Sequence, residues 1–196
     1  MTYKGADALD WEEAINLIDR LMADGRCRDA MLVAAGCYLG LRISDLLRLK
    51  WSDLCSDKPL VLEEKKTGKK RLLKVNAALK QLAMQSIEKL DIRNTDSLIF
   101  TSQMSGSRHA MTRQRAYQIL RQICADYGVS SAEHFSTHSL RKTFGRRVWL
   151  QECDRGRGDQ ALLLLCDIFG HSSVAITKRY LGIRQDEILS VYDSLS

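Results

Sequence analysis

Apolar residues recur at helical intervals along most of this chain, and their spacing constrains the fold more than any other feature. Between Trp11 and Met22 they fall at the three- and four-residue intervals of an amphipathic helix, and Asp10 stands at the usual position of its N-cap. A second apolar run covers 28–39 and is followed by Gly40, a residue type that often ends helices. The spacing therefore predicts that the chain begins with a pair of helices.

The helical spacing breaks once, between residues 60 and 75. Two short apolar runs, 60–62 and 71–75, flank a polar and basic segment that has Thr67-Gly68 near its middle. This arrangement is typical of a β-hairpin with a basic tip. The short apolar run 98–100 is predicted to be a third strand, so the sequence indicates a small antiparallel sheet.

Helical spacing resumes after the hairpin and continues to the end of the chain. The predicted helices cover 76–90, 112–127, 137–152, 159–169, 172–181 and 184–195. We assign the chain to the α+β class, mainly α, with a small antiparallel β-sheet or hairpin. Its 196 residues suit one domain with a good core, or at most one domain plus a small appendage, and we assign 1–196 to a single domain.

The charge balance of the chain favours a polyanionic partner. The chain has 30 Lys and Arg residues against 24 Asp and Glu residues, a formal net charge of +6. DNA, RNA and an anionic membrane surface all fit such a balance. The excess is modest and does not by itself choose among them.

The six cysteines do not form the patterns of a disulfide framework or a metal site. None belongs to a C-x-x-C pair, and no Cys/His cluster has zinc spacing. We therefore predict reduced thiols in a cytoplasmic protein without a bound metal. The longest apolar stretches, 31–41 and 161–169, are shorter than the ~20 residues that a membrane-spanning helix needs, which predicts no membrane partner.

Five short motifs carry side chains suited to phosphate chemistry. They contain Arg42 and Asp45, Lys66 of the hairpin, the pair His138-x-x-Arg141, Gly170-His171, and Tyr180. Each motif alone is commonly structural, as a surface arginine, a solvated charge run or a core tyrosine. Their presence together in one chain is the stronger signal.

The order and spacing of these motifs resemble those of the tyrosine recombinase (phage integrase) family, over nearly the whole chain. The resemblance implies a helical catalytic domain and assigns catalytic roles to Tyr180, Arg42, Arg141, His138, Lys66 and His171. Asp45 matches a position at which the family more often has glutamate. We expect Asp45 to orient Arg42 or a neighbouring residue.

The implied chemistry is cleavage and rejoining of DNA through a 3′-phosphotyrosyl bond. The five-coordinate phosphorus of the transition state carries extra negative charge, which the planar guanidinium groups of Arg42 and Arg141 can stabilise. His138 is expected to accept the phenol proton of Tyr180. Lys66 is expected to protonate the departing 5′ oxygen.

The remaining catalytic histidine and the absence of a cofactor complete this expectation. His171 is expected to donate a hydrogen bond to a phosphate oxygen. The sequence contains no clustered carboxylates of the kind that hold a catalytic metal ion. A phosphotyrosyl bond also conserves the energy of the phosphodiester, so we expect neither metal, ATP nor another cofactor.

Double-stranded DNA is the expected partner. Candidate phosphate contacts outside the catalytic set are Lys69, Lys70, Arg108, Arg113, Arg115 and Lys142. The apolar stripe in 184–195 is expected, as the family resemblance implies, to dock into a neighbouring protomer and give a dimer to tetramer on DNA.

Most members of the family carry a helical core-binding domain before the catalytic one. Only about nine residues precede the first predicted helix, so we expect that domain to be absent here, either because the chain is a fragment of a longer recombinase or because it is a naturally short one. An accessory DNA-bending protein is then a further expected partner. The resemblance also implies an origin in a bacterium, a phage or another mobile element.

Other functions remain open from the sequence. A type IB topoisomerase would share the chemistry and relax supercoils without recombination. A DNA-binding accessory protein on a decayed recombinase scaffold would bind without cleaving, although the complete catalytic set argues against decay. A purely structural interaction module would leave that set unexplained.

Overall fold

The computed structural model describes residues 7–66, 68–102, 109–129, 134–183 and 192. Its helices are α1 (Trp11–Ala23), α2 (Cys27–Leu39), α3 (Ile43–Leu46), α4 (Trp51–Cys55), α5 (Ala77–Lys89), α6 (Arg113–Tyr127), α7 (Thr137–Cys153), α8 (Gly158–Phe169) and α9 (Val174–Leu181). A two-stranded antiparallel sheet, β1 (Leu60–Glu63) and β2 (Lys70–Leu73), lies between α4 and α5 in chain order. The mainly helical α+β class predicted from the sequence is confirmed.

Side-chain caps explain why most helices begin close to the predicted positions. The caps of α1, α5 and α6 are Asp10, Asn76 and Thr112, and each accepts a hydrogen bond from a backbone N–H of the following turn. Helix α2 ends at Gly40, which has a left-handed φ of 59°. Helix α9 begins at Val174, two residues later than predicted, because Ser173 caps it.

The hairpin is present, but the predicted third strand is not. Strands β1 and β2 pair in register from Leu60 opposite Leu73 to Glu63 opposite Lys70. Segment 98–100, predicted as a strand, makes only an isolated bridge between Leu98 and Lys50. That prediction was wrong, because the segment does not pair with a neighbouring strand over its length.

Segment 98–100 is apolar because it belongs to the core. Ile99 is 0% exposed and Phe100 is 1% exposed. The backbone N–H of Ile99 donates to the carbonyl of Leu49 at 2.9 Å, which secures the segment without a strand ladder. A short buried run can therefore be apolar on successive residues and remain irregular.

Within the described parts of the chain, buried apolar side chains form two separate clusters. The larger cluster draws on α1 through α7 and on β1, and it contains Trp51, Phe100 and Phe135. The smaller cluster consists of Leu162, Leu165, Phe169, Leu181 and Ile183. Helix α7 lies between them, since it packs against α2 on one side and against α8 and α9 on the other.

Two glycines allow α7 to approach both clusters closely. A Cβ atom at Gly36 in α2 would lie 2.6 Å from Cδ1 of Leu140 in α7. A Cβ atom at Gly145 in α7 would lie 2.6 Å from Cδ2 of Leu181 and 2.8 Å from Cζ of Phe169. All three distances are too short for nonbonded carbon atoms, so each glycine sets the spacing between α7 and its neighbour.

Two predictions fall on parts of the chain that the structure does not describe. The predicted helix 184–195 lies, apart from position 192, outside the described residues, and so does Arg108. Among the described residues, no single helix has the length and apolar composition to cross a membrane. One pair, Gly158–Phe169 with Val174–Leu181, meets that test jointly but is bent by 92°.

Candidate active site

The six side chains predicted to be catalytic line one open cavity of about 490 Å³. They are Arg42, Lys66, His138, Arg141, His171 and Tyr180. The cavity lies where the hairpin, the start of α3, the start of α7, the end of α8 and α9 meet. Residues separated by more than a hundred positions in the sequence are thereby brought to one place.

Two arginines are fastened to the same backbone oxygen. The carbonyl of Phe169 accepts hydrogen bonds from Nη2 of Arg42 at 3.0 Å and from Nη2 of Arg141 at 3.1 Å. Phe169 is the last residue of α8, and the left-handed Gly170 ends the helix there. The C-terminus of a helix carries a partial negative charge, which favours two cations at this point.

Arg141 is the more deeply buried of the two arginines. It is 5% exposed, its Nη1 donates to the carbonyl of Gly40 at 2.6 Å, and its guanidinium lies 4.4 Å from the ring centroid of Phe169. Burial lowers the pKa of Arg141 to about 10. The guanidinium therefore remains charged at neutral pH, and its direction is fixed before any ligand binds.

Arg42 makes a second contact that the sequence did not predict. Its Nη1 lies 2.6 Å from Oε2 of Glu64, although the approach is too oblique for a hydrogen bond, so the contact is an ion pair. The other carboxylate oxygen of Glu64 accepts a hydrogen bond from Nη1 of Arg71 at 2.9 Å. Glu64 is 6% exposed and thus a buried carboxylate between two arginines.

Asp45 holds the segment that carries the predicted catalytic lysine. It is 1% exposed, and its Oδ1 accepts a hydrogen bond from the backbone N–H of Lys65 at 2.9 Å. The sequence led us to expect that Asp45 orients Arg42 or a neighbour, whereas the observed bond is to the hairpin. The next residue, Lys66, is exposed at the mouth of the cavity.

His138 and Arg141 share one face of α7, as their spacing predicted. Both line the cavity from the first turns of that helix. Packing around the imidazole and the positive charges of Arg141 and Lys142 lower the pKa of His138, although much of the residue is exposed. The neutral form, which can accept a proton, is therefore favoured at neutral pH.

His171 is held by the helix that follows it. Its Nδ1 shares a hydrogen bond with Oγ1 of Thr177 at 3.0 Å, and Thr177 is 0% exposed. Burial and the positive charges of Arg141 and Arg42 lower the pKa of His171. The bond at Nδ1 leaves Nε2 as the ring nitrogen available to the cavity.

Tyr180 is packed between aromatic rings on α9. Its ring centroid lies 5.4 Å from that of Phe169 and 5.3 Å from that of His171. Its hydroxyl donates a long hydrogen bond of 3.5 Å to the carbonyl of His138. Burial raises the pKa of Tyr180 to about 12, and the positive charge of Arg141 partly opposes that increase.

The predicted phosphate contacts occupy different environments. Lys69, Lys70, Arg113 and Arg115 are exposed, and Arg113 lines the cavity. Lys142 is 8% exposed, and its ammonium group lies 5.4 Å from the ring centroid of Tyr180. Lys142 is thus a buried neighbour of the tyrosine in this structure.

Comparisons with known proteins identify the family of the chain. The model of the "Phage integrase family" matches residues 8–187. The protein "Probable integrase/recombinase YoeC" of Bacillus subtilis (strain 168) is 32% identical over 180 residues, which cover 92% of this chain and 91% of YoeC. "Tyrosine recombinase XerC" of Xanthomonas axonopodis pv. citri (strain 306) is 32% identical over 192 residues, which cover 95% of this chain and 57% of XerC.

The fold is also found among solved structures. One is a lambda integrase (75–356) dimer bound to a COC′ core site, which superimposes with a TM-score of 0.64 at 18% sequence identity. The match covers 92% of this chain and 60% of the lambda integrase chain. At that identity the likeness concerns the fold. The chain spans nearly the full length of YoeC but little more than half of XerC.

Proposed function

The chain belongs to the phage integrase family, and we propose that it is a tyrosine site-specific recombinase that cleaves and rejoins DNA through Tyr180. The observation that carries the proposal is the meeting of all six predicted catalytic side chains at one cavity. Residues 1–196 are proposed to act as a single catalytic domain.

Charge stabilisation is assigned to the two arginines. Arg42 and Arg141 are held by the Phe169 carbonyl with their guanidinium groups at the cavity. Each guanidinium retains N–H groups that can donate to the non-bridging oxygens of a phosphate. Donors that are already oriented stabilise the developing charge without first reorganising.

The nucleophile requires a base because its phenol is a weak acid. Burial raises the pKa of Tyr180 to about 12, so the neutral phenol predominates at neutral pH. His138 lines the same cavity as Tyr180, and the pKa of its imidazole is lowered, chiefly by burial. The imidazole is proposed to accept the proton as the oxygen attacks phosphorus. His171 is proposed to donate a hydrogen bond from its free ring nitrogen to a phosphate oxygen.

The leaving group and the resealing step complete the cycle. Lys66 is proposed to protonate the 5′ oxygen as its bond to phosphorus breaks. The product is a 3′-phosphotyrosyl bond and a free 5′ hydroxyl. A 5′ hydroxyl of a second strand then attacks the phosphotyrosyl bond, so the phosphodiester is restored without ATP.

We further propose double-stranded DNA as the partner and a dimer to tetramer as the active assembly. The lambda integrase dimer bound to its core site supports both, by its fold. The apolar stripe of segment 184–195 supports docking between protomers through that segment. An accessory DNA-bending protein is proposed as a further partner.

The test is a suicide-substrate assay. The protein is incubated with nicked duplexes that tile the DNA flanking its own gene, in the presence of EDTA, and denaturation-resistant adducts are counted. We expect an adduct with the wild type, none with Tyr180→Phe, and an unchanged yield with Tyr117→Phe, which alters an exposed tyrosine outside the cavity.

Three outcomes would count against the proposal. An adduct that persists in Tyr180→Phe would show that another residue is the nucleophile. DNA binding without any adduct would favour the accessory-protein function. Relaxation of supercoils without trapped four-way junctions would favour a topoisomerase.

A further inference from the structure

Two buried carboxylates fasten the hairpin to the rest of the site. Glu64 contacts Arg42 and Arg71 with its two carboxylate oxygens, and Asp45 accepts from the backbone N–H of Lys65. Glu64 is 6% exposed and Asp45 is 1% exposed. The short segment that leads to Lys66 is thus held at two consecutive residues.

The backbone of Glu64 also closes the tip of the hairpin. Its N–H donates to the carbonyl of Lys69 at 3.0 Å, and its carbonyl accepts from the N–H of Gly68 at 2.8 Å. Lys66 lies inside the loop that these two bonds close. Glu64 therefore fixes the base of that loop through its backbone and anchors the base to Arg42 through its side chain.

We propose that Glu64 is a positioning residue that holds Lys66 at the leaving oxygen by anchoring the hairpin tip to Arg42. This inference rests on the proposed recombinase function. Glu64 does not touch the reacting atoms. Because Glu64 contacts Arg42, it keeps Lys66 at a fixed distance from the arginine, so that Arg42 and Lys66 can act on the same phosphate.

The electrostatics of the site require a buried anion at this place. Burial lowers the pKa of Arg141 most, the positive charges of Arg42 and Arg71 lower it further, and the carboxylate of Glu64 partly opposes them. Without Glu64, three neighbouring guanidinium groups would repel one another in a partly buried environment. The hairpin, which carries Arg71, would then be pushed away from α3 and would take Lys66 with it.

A substrate that does not need a general acid tests this role directly. A nicked duplex whose scissile phosphate has sulfur in place of the bridging 5′ oxygen releases a thiolate, which departs without a proton. The same duplex with the normal 5′ oxygen needs Lys66. Adduct formation by Glu64→Gln and Glu64→Ala is therefore measured on both substrates, beside Lys66→Ala and Arg42→Lys.

We expect Glu64→Ala to lower the cleavage rate on the oxygen substrate ~100-fold, because a displacement of about 1 Å has that effect on positioned groups. On the sulfur substrate the loss should shrink to within about threefold of the wild type, as it should for Lys66→Ala, since general acid catalysis contributes ~10²–10⁴-fold. Glu64→Gln should also lose cleavage rate on the oxygen substrate and recover it on the sulfur substrate, with a smaller loss than Glu64→Ala. Arg42→Lys should be equally defective on both substrates.

Glu63→Gln is the matched control. Glu63 is the exposed neighbour of Glu64, lies opposite Lys70 in the sheet, and carries the same charge. Its substitution should leave both rates unchanged. Urea unfolding of each variant shows whether it is folded. If Glu64→Ala does not fold, the comparison of the two substrates is made with the nearly isosteric Glu64→Gln.

Equal defects of the Glu64 variants on both substrates would overturn the proposal, because Glu64 would then act on Arg42 or on the fold alone. Wild-type rates for both variants on the oxygen substrate would also overturn it. Failure of the recombinase function itself looks different: the wild type would form no adduct with either substrate.

Discussion

The two apolar clusters support different parts of the site. The larger cluster draws on α1 through α7 and includes Leu46 of α3 and Leu60 of the hairpin. These two elements supply Arg42 and Lys66. The smaller cluster of five buried residues underlies α8 and α9, and Tyr180 itself packs against it. His138 and Arg141 stand on α7, between the clusters.

This difference separates the residues that must stay fixed from the residue that forms and breaks a covalent bond. Segments with few buried apolar contacts open locally at lower free energy than the main core of a protein. We therefore expect the helix with Tyr180 to open more readily than the part of the molecule that carries Arg42. Arg141 joins the two regions, because it donates both to Gly40 and to Phe169.

The largest effect is expected from removing that link. Arg141→Met leaves the Gly40 carbonyl without its donor and deprives the cavity of a fixed positive charge. We expect the free energy of unfolding to fall by about 1–3 kcal/mol, the cost of an unsatisfied buried polar group. Cleavage should fall by ~10²–10³-fold, as when a preorganised donor is removed. Urea unfolding measures the free energy of unfolding, and adduct yield measures cleavage.

Arg141→Lys separates the charge from the geometry of the guanidinium. It retains the positive charge but cannot donate to two carbonyls at once in the same plane. We expect most of the cleavage defect to remain. Full activity of Arg141→Lys would mean that charge alone is needed and that the link between the clusters is unimportant.

An intermediate effect is expected from a pair of glycine substitutions that press on the two faces of α7. Gly36→Ala pushes Leu140 on the side of the larger cluster, and Gly145→Ala pushes Leu181 and Phe169 on the side of the smaller. Each should cost about 1–3 kcal/mol of overpacking, offset by up to about 1 kcal/mol of gained helix propensity. Urea unfolding should show similar losses for both.

Their effects on cleavage should differ. Gly145→Ala displaces the side chains beside Tyr180, so we expect it to lower adduct formation by about tenfold or more beyond its effect on folding. Gly36→Ala should leave the rate of the folded molecule nearly unchanged. Equal cleavage rates for the two folded variants would show that the smaller cluster does not govern the nucleophile.

The smallest effect is expected from pH. The pKa values of His138 and His171 are lowered in the folded protein, chiefly by burial. Below the unfolded-state pKa of ~6.5 the unfolded chain binds more protons than the folded one, so stability falls as pH decreases through that value. His171→Gln should flatten this decrease, as measured by urea unfolding at pH 7.5 to about 5.

Exposed His109 provides the comparison for that experiment. His109→Gln removes a histidine outside the cavity and should leave the pH dependence as in the wild type. Hydrogen exchange should show that acid exposes α8 and α9 before α2. If exchange rises first in α2, the smaller cluster with α8 and α9 is more stable than the larger one, contrary to our expectation.

Much of this arrangement follows from the sequence, because local spacing determines it. The interval between His138 and Arg141 places both on one face of a helix, and the apolar periodicity predicts α1, α2 and the later helices closely. The motif order predicts which side chains meet at the cavity. These inferences depend on a helical repeat or on a family pattern.

The remaining features depend on contacts between distant segments. Glu64 stands in a charged run that is typical of a solvated loop, and only docking of the hairpin on Arg42 makes it buried. Lys142 follows Arg141 directly, so the helix turns its side chain away from the cavity mouth and towards Tyr180. Segment 98–100 was also mispredicted from the sequence, since a buried irregular segment and a strand can have the same short apolar run.

The carbonyl of Phe169 makes the two arginines interdependent. It accepts from both guanidinium groups at the final residue of α8. If the last turn of α8 unwinds, Arg42 and Arg141 lose this anchor in the same event. Arg141 would still donate to the Gly40 carbonyl, and Arg42 would still contact Glu64, but the two guanidinium groups would no longer be held to one common point. One hydrogen-bond acceptor thus sets the distance between the two positive charges of the phosphate site.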